Sequence, residues 1–477
     1  MWTDNDTDRD FVNFTGVADT VAEIILSANG DPVSIGVSGE WGVGKSTMIR
    51  LIRRSLDEKM SAGDDEASGP KAKYLFVNFN AWLYQGYDDA RAALMEVIAR
   101  CLAEEAKTSK TAVDKTLSLL KRVNVVRLVG LTAGTAASLA LGLPPVGLLG
   151  QAWSLLGAAR AGPVTTDVVE RAVDTGEKLG NAAAGLLNPA PSHSPPEEIQ
   201  ALRNEFEETL RELKITLVVL IDDLDRCLPS TTISTLEAIR LFLFLPHTAF
   251  VIAADDAMIK HAVRQHFNDL DGMLVTSYFD KLIQVPVRVP PLGTQEVRAY
   301  MAMLFVDKHI KDTAKREDFR KAVCLQLTKS WQGVRVDHAY LETLNLEMSE
   351  QLRADLSLAD RLAPLLTTSP MVKGNPRLIK RFLNALSIRQ SIAHRHGVTV
   401  DPAALVKMLL FERCGEAAAY RQIAEAVNAS AKGHPSFLAN LEAQVAKGES
   451  EPLITPWDND FSRSWLSLEP MLANVDL

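Results

Sequence analysis

Apolar residues along the first two-thirds of the chain come in short runs separated by amphipathic stretches. From Asp10 to Asn29 they recur at helical spacing and stop at the turn "NGDP". "VSIGV" then predicts a short buried strand, followed by a glycine turn and a helix beginning near Lys45. That helix fades into the polar loop "EKMSAGDDEASGPKAK". "YLFVNFNAWLY" predicts a second, aromatic strand, with a helix after it from about Asp88 to Glu105. Past a segment of different character, "EEIQALRNEFEETLREL" is a charged helix, and "ITLVVLIDDLDR" is a fully buried strand ending in carboxylates. "STLEAIRLFLFLP" is helical, "TAFVIAAD" is a fourth strand, "DDAMIKHAVRQHF" is a helix, and "LIQVPVRVPP" is a fifth strand leaving the sheet. Strands that alternate with helices indicate a parallel sheet covered on both faces. From Gly293 onward the periodicity is helical throughout.

Composition narrows this picture only a little. At 477 residues the chain is too long for one compact core. A net charge of −9 gives no general attraction to nucleic-acid phosphates, so any such contact needs a local basic patch. Cys101, Cys227, Cys324 and Cys414 lie far apart without CxxC spacing, which reads as free thiols in a reducing cytoplasm. The acidic start "MWTDNDTDRDFVNF" lacks the apolar core of a secretory signal.

The glycine turn carries the first chemistry. Gly39-Glu40-Trp41-Gly42-Val43-Gly44-Lys45-Ser46 fits G-x-x-x-x-G-K-[ST], with a strand before it and a helix after it. Glycines let the backbone turn its N–H groups toward an anionic phosphate, and the following helix adds its positive end. Gly39 through Ser46, with Thr47, are the candidate nucleotide-binding residues. Lys45 is expected to reach the β- and γ-phosphates and Ser46 to hold Mg²⁺.

The buried strand "LVVLIDDLDR" has the form of the acidic partner of such a cradle. Asp222 is the candidate Mg²⁺ ligand, and Asp223 the candidate base that orients the attacking water. Asp223 is shorter than the Glu many ATPases carry there, which argues against fast turnover. Phosphoryl transfer also needs positive charge at the γ-phosphate. Arg226, just after the strand, and Arg377, opening a later helix, are the candidates. Asp255 sits where a polar residue would sense the γ-phosphate. His261 and His266, five apart on a helix, do not place two metal ligands on one face.

"GEWGVGKST", "VNFNAWLY", "LIDDLDRC", "FVIAADDAMI", "YFDKLIQVPVRVPP" and "GNPRLIKRFLN" occur in the order seen in the KAP P-loop NTPases. The chain resembles that family from about Asp10 to Arg389. The resemblance implies an α/β fold with a parallel P-loop NTPase sheet of order 5-1-4-3-2, an inserted apolar helical segment and a helical C-terminal lid. It also implies that Arg377 is a sensor arginine on that lid and that Asp222 and Asp223 form the acidic pair. Several bacterial relatives serve in anti-phage defence, the ATPase subunit of Qat systems among them.

No charged residue occurs between Arg127 and Arg160. A spanning helix needs about 20 apolar residues, and Pro144-Pro145 divides this run into shorter halves. A tilted membrane hairpin over 123–162, a Gly/Ala-rich pair packed on a partner or a second copy, and a soluble internal core all stay open. The expected organisation is an NTPase core over 1–106 and 197–292, an insertion and linker over 107–196, a lid over 293–400 and a helical extension over 401–477. The function expected is that of a Mg²⁺-dependent ATPase, cytoplasmic and with the inner membrane face in reach, whose cycle switches conformation or assembly with protein partners or copies of itself. Defence with separate effectors is the favoured role. A membrane-associated, ATP-switched scaffold or transport accessory is the alternative, and a DNA-translocating motor a weaker one. ATP is preferred to GTP because the class favours it and no NKxD-type guanine reader occurs in a suitable place.

Overall fold

A computed structural model describes residues 1–62, 73–85, 90–119, 195–242, 244–266, 281–344, 346–430, 433–447 and 453–475, together with positions 123, 275 and 276. Most of the 123–162 segment, on which the membrane and self-association readings rest, lies outside these residues. Among the described residues no helix is long and apolar enough to cross a membrane.

The strands are β1 (Val33–Ser38), β2 (Lys73–Asn80), β3 (Ile215–Asp222), β4 (Thr248–Ala254) and β5 (Val285–Arg288). They form one parallel sheet of order β2-β3-β4-β1-β5, the order the resemblance implies read from the other edge. Every residue of β3 is buried except Asp222, and all of β4 is buried. Continuous apolar runs of this kind belong in the centre of a parallel sheet with helices on both faces. β2 pairs with β3 so that Asn80 stands opposite Asp222. β5 joins β1 through Gln284 N to Ser34 O at 3.1 Å and Val289 N to Ser38 O at 2.8 Å.

The helices before the lid are α1 (Thr15–Ser27), α2 (Lys45–Ala62), α3 (Ala90–Ser109), α4 (Pro195–Leu213), α5 (Pro229–Phe242) and α6 (Asp256–His266). Then follow α7 (Thr294–His309), α8 (Thr313–Leu327), α9 (His338–Thr343), α10 (Glu350–Thr368), α11 (Pro376–Arg395), α12 (Pro402–Cys414), α13 (Ala417–Ala429), α14 (Leu438–Ala446) and α15 (Asp460–Leu466). No strand follows Gly293 among the described residues, as the helical periodicity predicts.

Two compact units contain these elements. One comprises Met1–Ile24, Val37–Asp64 and Val287–Leu477, and the other Ile25–Gly36 and Asp65–Pro286. The second unit has a continuous apolar core in which Phe79, Leu217, Val219 and Ile221 of the sheet meet Leu236, Ile239 and Phe242 of α5. In the first, α7 is buried along Val297 to Val306, with α10, α11 and α12 contributing further core leucines.

Several boundaries differ from the periodicity, and two of them have a side-chain cause. The first helix starts at Thr15 because the Asp10 carboxylate accepts hydrogen bonds from Val12 N, Thr15 N and the Thr15 hydroxyl, at 2.9, 2.7 and 2.6 Å. The second strand ends at Asn80, not at Tyr84. The Asn80 side chain accepts from Trp82 N and Leu83 N at 3.1 and 3.3 Å, so Ala81–Tyr84 closes into a 3-10 turn despite its aromatic content.

Candidate functional site

The candidate residues fall into two groups, one within each unit. The first is the cradle with its lid. β1 ends at Ser38, α2 begins at Lys45, and Gly42 and Gly44 between them adopt φ of +88° and +108°. Side chains are excluded at both on two counts: the left-handed backbone, and neighbours already in place. A Cβ on Gly44 would lie 3.0 Å from the Phe14 ring, and one on Gly42 would lie 2.8 Å from Arg377 Cβ. Lys45 is buried, and its ammonium donates to the carbonyls of Gly39 and Glu40 at 2.9 and 3.3 Å. The charge is thus held against the carbonyls of the loop itself.

The lid reaches this loop through Asn375. Its Oδ1 caps α11, accepting from Arg377 N and Leu378 N at 3.0 and 3.4 Å, while its Nδ2 donates to Trp41 O at 2.9 Å. One buried side chain therefore starts the helix and fastens it to the cradle. Pro376 follows at the first helical position, where a missing N–H is harmless. The Arg377 guanidinium lies 4.5 Å from the centre of the Trp41 ring and that of Arg381 lies 5.8 Å from it, a cation–π arrangement. Trp41 stays 56% exposed, so its ring acts as a platform rather than as core. Lys373 and Glu40 face each other at 3.7 Å.

Arg377 is itself ion-paired with Asp4. Its Nη1 is buried yet meets no hydrogen-bond acceptor, a condition that costs about 1–3 kcal/mol when it persists. Burial lowers the pKa of neighbouring Lys380; the Asp4 carboxylate opposes this and the Arg377 charge adds to it.

The second group surrounds the acidic end of β3. Asp222 is the last strand residue, and its Oδ1 accepts from Asp223 N at 2.8 Å. Asp223 takes a left-handed conformation (φ 57°, ψ 25°), a region that Asp tolerates better than most residues. Both of its oxygens are engaged: Oδ2 accepts from Asn80 Nδ2 at 2.8 Å, and Oδ1 meets Arg226 Nε at 2.8 Å. Arg226 also stands 5.8 Å from the centre of the half-exposed Trp82 ring. Asp255 lies just past β4; its N–H donates to Asp225 Oδ2 at 2.9 Å and its carboxylate accepts from Ala257 N at 3.0 Å, where α6 starts. Cys227 follows Arg226. Burial, reinforced by the charges of Asp223 and Asp225, pushes its thiol up to about 12, so it stays protonated and unreactive at neutral pH. All four cysteines are free.

Sequence reasoning missed Asn80, Asn375, Asp4 and Arg381. Asn375-Pro376 before an amphipathic helix is a readable cap signal. Asn80 was hidden in a strand-like aromatic run. Asp4 is one acid among several near the start of the chain and has no local signature.

The donor set suits a nucleotide with its metal. A positive-φ glycine turn, a buried lysine held at it and an arginine with an unmatched donor fit a triphosphate. The Ser46 hydroxyl and the Asp222 carboxylate are hard oxygen donors of the kind Mg²⁺ takes.

Residues 14–393 match the family described as "KAP family P-loop domain". A Phage T7 exclusion protein of Escherichia coli (strain K12) is 24% identical over 292 residues, which is 60% of this chain and 34% of that protein. The chain therefore spans about a third of the length of that relative. Among solved structures, the ORC2 protein of Aeropyrum pernix aligns over 92% of this chain and 76% of its own, with a TM-score of 0.33 and 12% identity.

Proposed function

This chain belongs to the KAP family of P-loop NTPases, and we propose that it is a Mg²⁺-dependent ATPase whose cycle switches the lid between two arrangements. The observation that carries the proposal is the fastening of α11 to the cradle through Asn375 and Trp41, with Arg377 beside Gly42. A lid joined to the phosphate loop by a hydrogen bond, two arginines on one exposed ring and the Lys373–Glu40 pair suits a hinge that responds to phosphate.

In this reading Lys45 neutralises the β- and γ-phosphates and Arg377 the charge that grows on the γ-phosphoryl group. Mg²⁺, held through Ser46 and Asp222, supplies further neutralisation of the phosphate oxygens when bound. Asp223 orients a water and takes up its proton as the water oxygen bonds to the γ-phosphorus and the bridge to the β-phosphate breaks. Asn80 fixes the carboxylate for that task, and Arg226 acts on it from the other oxygen. Asp255 serves as the γ-phosphate sensor from the turn between β4 and α6.

Lys45→Ala is expected to abolish nucleotide binding and turnover. Asp223→Asn is expected to bind ATP normally and to lose about 10²- to 10⁴-fold in turnover, measured as phosphate release. Unchanged hydrolysis in Lys45→Ala would remove the site assignment.

Likeness to a Phage T7 exclusion protein supports anti-phage defence as the setting, and separately encoded effectors are proposed to act with the ATPase there. A second reading, a scaffold that uses ATP binding as an assembly switch, draws support from Asp223, because both its oxygens are already held. Protection from phage that survives Asp223→Asn but not Lys45→Ala selects the scaffold; loss in both selects the enzyme.

A further inference from the structure

Met1–Phe14 forms neither helix nor strand, yet it is held at both ends within the unit that contains the cradle and the lid. Trp2 exchanges two hydrogen bonds with the Asn384 side chain, N to Oδ1 at 2.9 Å and Nδ2 to Trp2 O at 2.8 Å. Its indole N–H donates to Leu304 O at 2.9 Å, and its ring meets Phe305 edge-on. At the other end Asp10 caps the turn into α1, and Phe14 seats against Gly44. Between these anchors the acids face basic residues of α2 and α11. Asp4 pairs with Arg377 and Asp6 with Arg50, while Thr3 O accepts from Lys380 Nζ at 3.0 Å.

A carboxylate on a guanidinium occupies the same donors that a phosphate oxygen would take. Asp4 therefore competes with any γ-phosphate that approaches Arg377. It is a displaceable competitor, being 46% exposed against 17% for the arginine, and it leaves Arg377 Nη1 without an acceptor. A terminal phosphate offers three oxygens and can satisfy both the charge and that donor. On the reading of Arg377 as the γ-phosphate ligand, a diphosphate lacks the group that would displace Asp4 and leaves the pair in place.

We propose that Asp4 is a specificity determinant. It is an internal acid that only a nucleoside triphosphate displaces from Arg377, so the stretch between Trp2 and Asp10 loosens in the triphosphate state alone. This rests on the reading of Arg377 as the γ-phosphate ligand. It goes further by naming what holds that arginine before the nucleotide arrives.

Calorimetric titration of the full chain with a non-hydrolysable ATP analogue and with ADP tests it, using wild type, Asp4→Asn, Asp4→Glu and Asp6→Asn. Asp4→Asn should tighten analogue binding by about two- to fivefold, the worth of a half-exposed ion pair, and leave ADP binding unchanged. Asp4→Glu should restore the wild-type ratio, and Asp6→Asn should not change it. Hydrogen exchange at the amides of residues 3–8 should quicken with the analogue and not with ADP. If Asp4→Asn moves both ligands equally, or neither, while wild type still binds both, the inference falls and the ATP site stands. A wild type that binds neither ligand, or binding that survives Lys45→Ala, removes both.

Discussion

Two ion pairs in the same unit combine a cation, a carboxylate and a tryptophan, and they are built to opposite ends. Lys407 and Glu442 meet at 3.1 Å with side chains only 1% and 4% exposed. The lysine also donates to Leu468 O and Pro470 O at 2.7 and 3.1 Å, so all three of its donors are used. Glu442 takes further hydrogen bonds from Leu472 N and Ala473 N, and Trp465 lies under the ammonium while donating to Lys407 O. Burial lowers the Lys407 pKa, and the Glu442 carboxylate opposes that shift. Arg377 and Asp4, by contrast, sit beside an exposed tryptophan, with the Arg377 Nη1 donor unmatched. A buried network with no spare capacity cannot exchange partners without stranding a charge, so it fastens the chain from Leu468 to Ala473 against α12 and α14. A pair with spare capacity at a phosphate loop is suited to exchange.

The sharpest way to break this contrast is Lys407→Met. It strands Glu442 and should cost about 3–5 kcal/mol in denaturant unfolding, only part of it recovered when Glu442→Leu is added, because Leu472 N, Ala473 N and the Leu468 and Pro470 carbonyls then lose their partners. A loss below about 1 kcal/mol would place Lys407 in the same exchangeable class as Arg377. Asn375→Ala comes next. Loss of the cap should cost about 1 kcal/mol, and the freed Trp41 carbonyl should loosen the lid, read as severalfold weaker binding of an ATP analogue. Equal binding would mean that the cradle does not need its fastening. The smallest expected effect sharpens the other side: Asp4→Asn should change unfolding by less than about 1 kcal/mol, since half-exposed pairs contribute little. A larger loss would make Asp4 structural and end the parallel with a displaceable phosphate mimic.

Much of the scaffold was legible before any coordinates, because its strands are continuous apolar runs. "ITLVVLI" and "TAFVIAA" have nowhere to lie except the centre of a covered sheet. The glycine turn is legible too, since two of its glycines, Gly42 and Gly44, take the positive φ that favours that residue. The end of β2 was not. Aromatic residues favour strands, but the Asn80 side chain offers Trp82 and Leu83 a better local partner than the ladder does. The same residue's second bond, to Asp223, depends on a register across 143 positions of sequence.

The sequence by itself determined the kind of chemistry: a phosphate loop, an acidic strand end, an arginine opening a capped helix, and the strands that carry them. Those signals are local, each resting on backbone conformation or on burial of a short run. Tertiary structure alone decided which charges meet. Asp4 reaches Arg377, Asn375 reaches Trp41, and Asn80 with Arg226 takes both oxygens of Asp223. Such pairings depend on where distant segments come to lie, and an acidic residue next to other acids carries no mark of the arginine it will find.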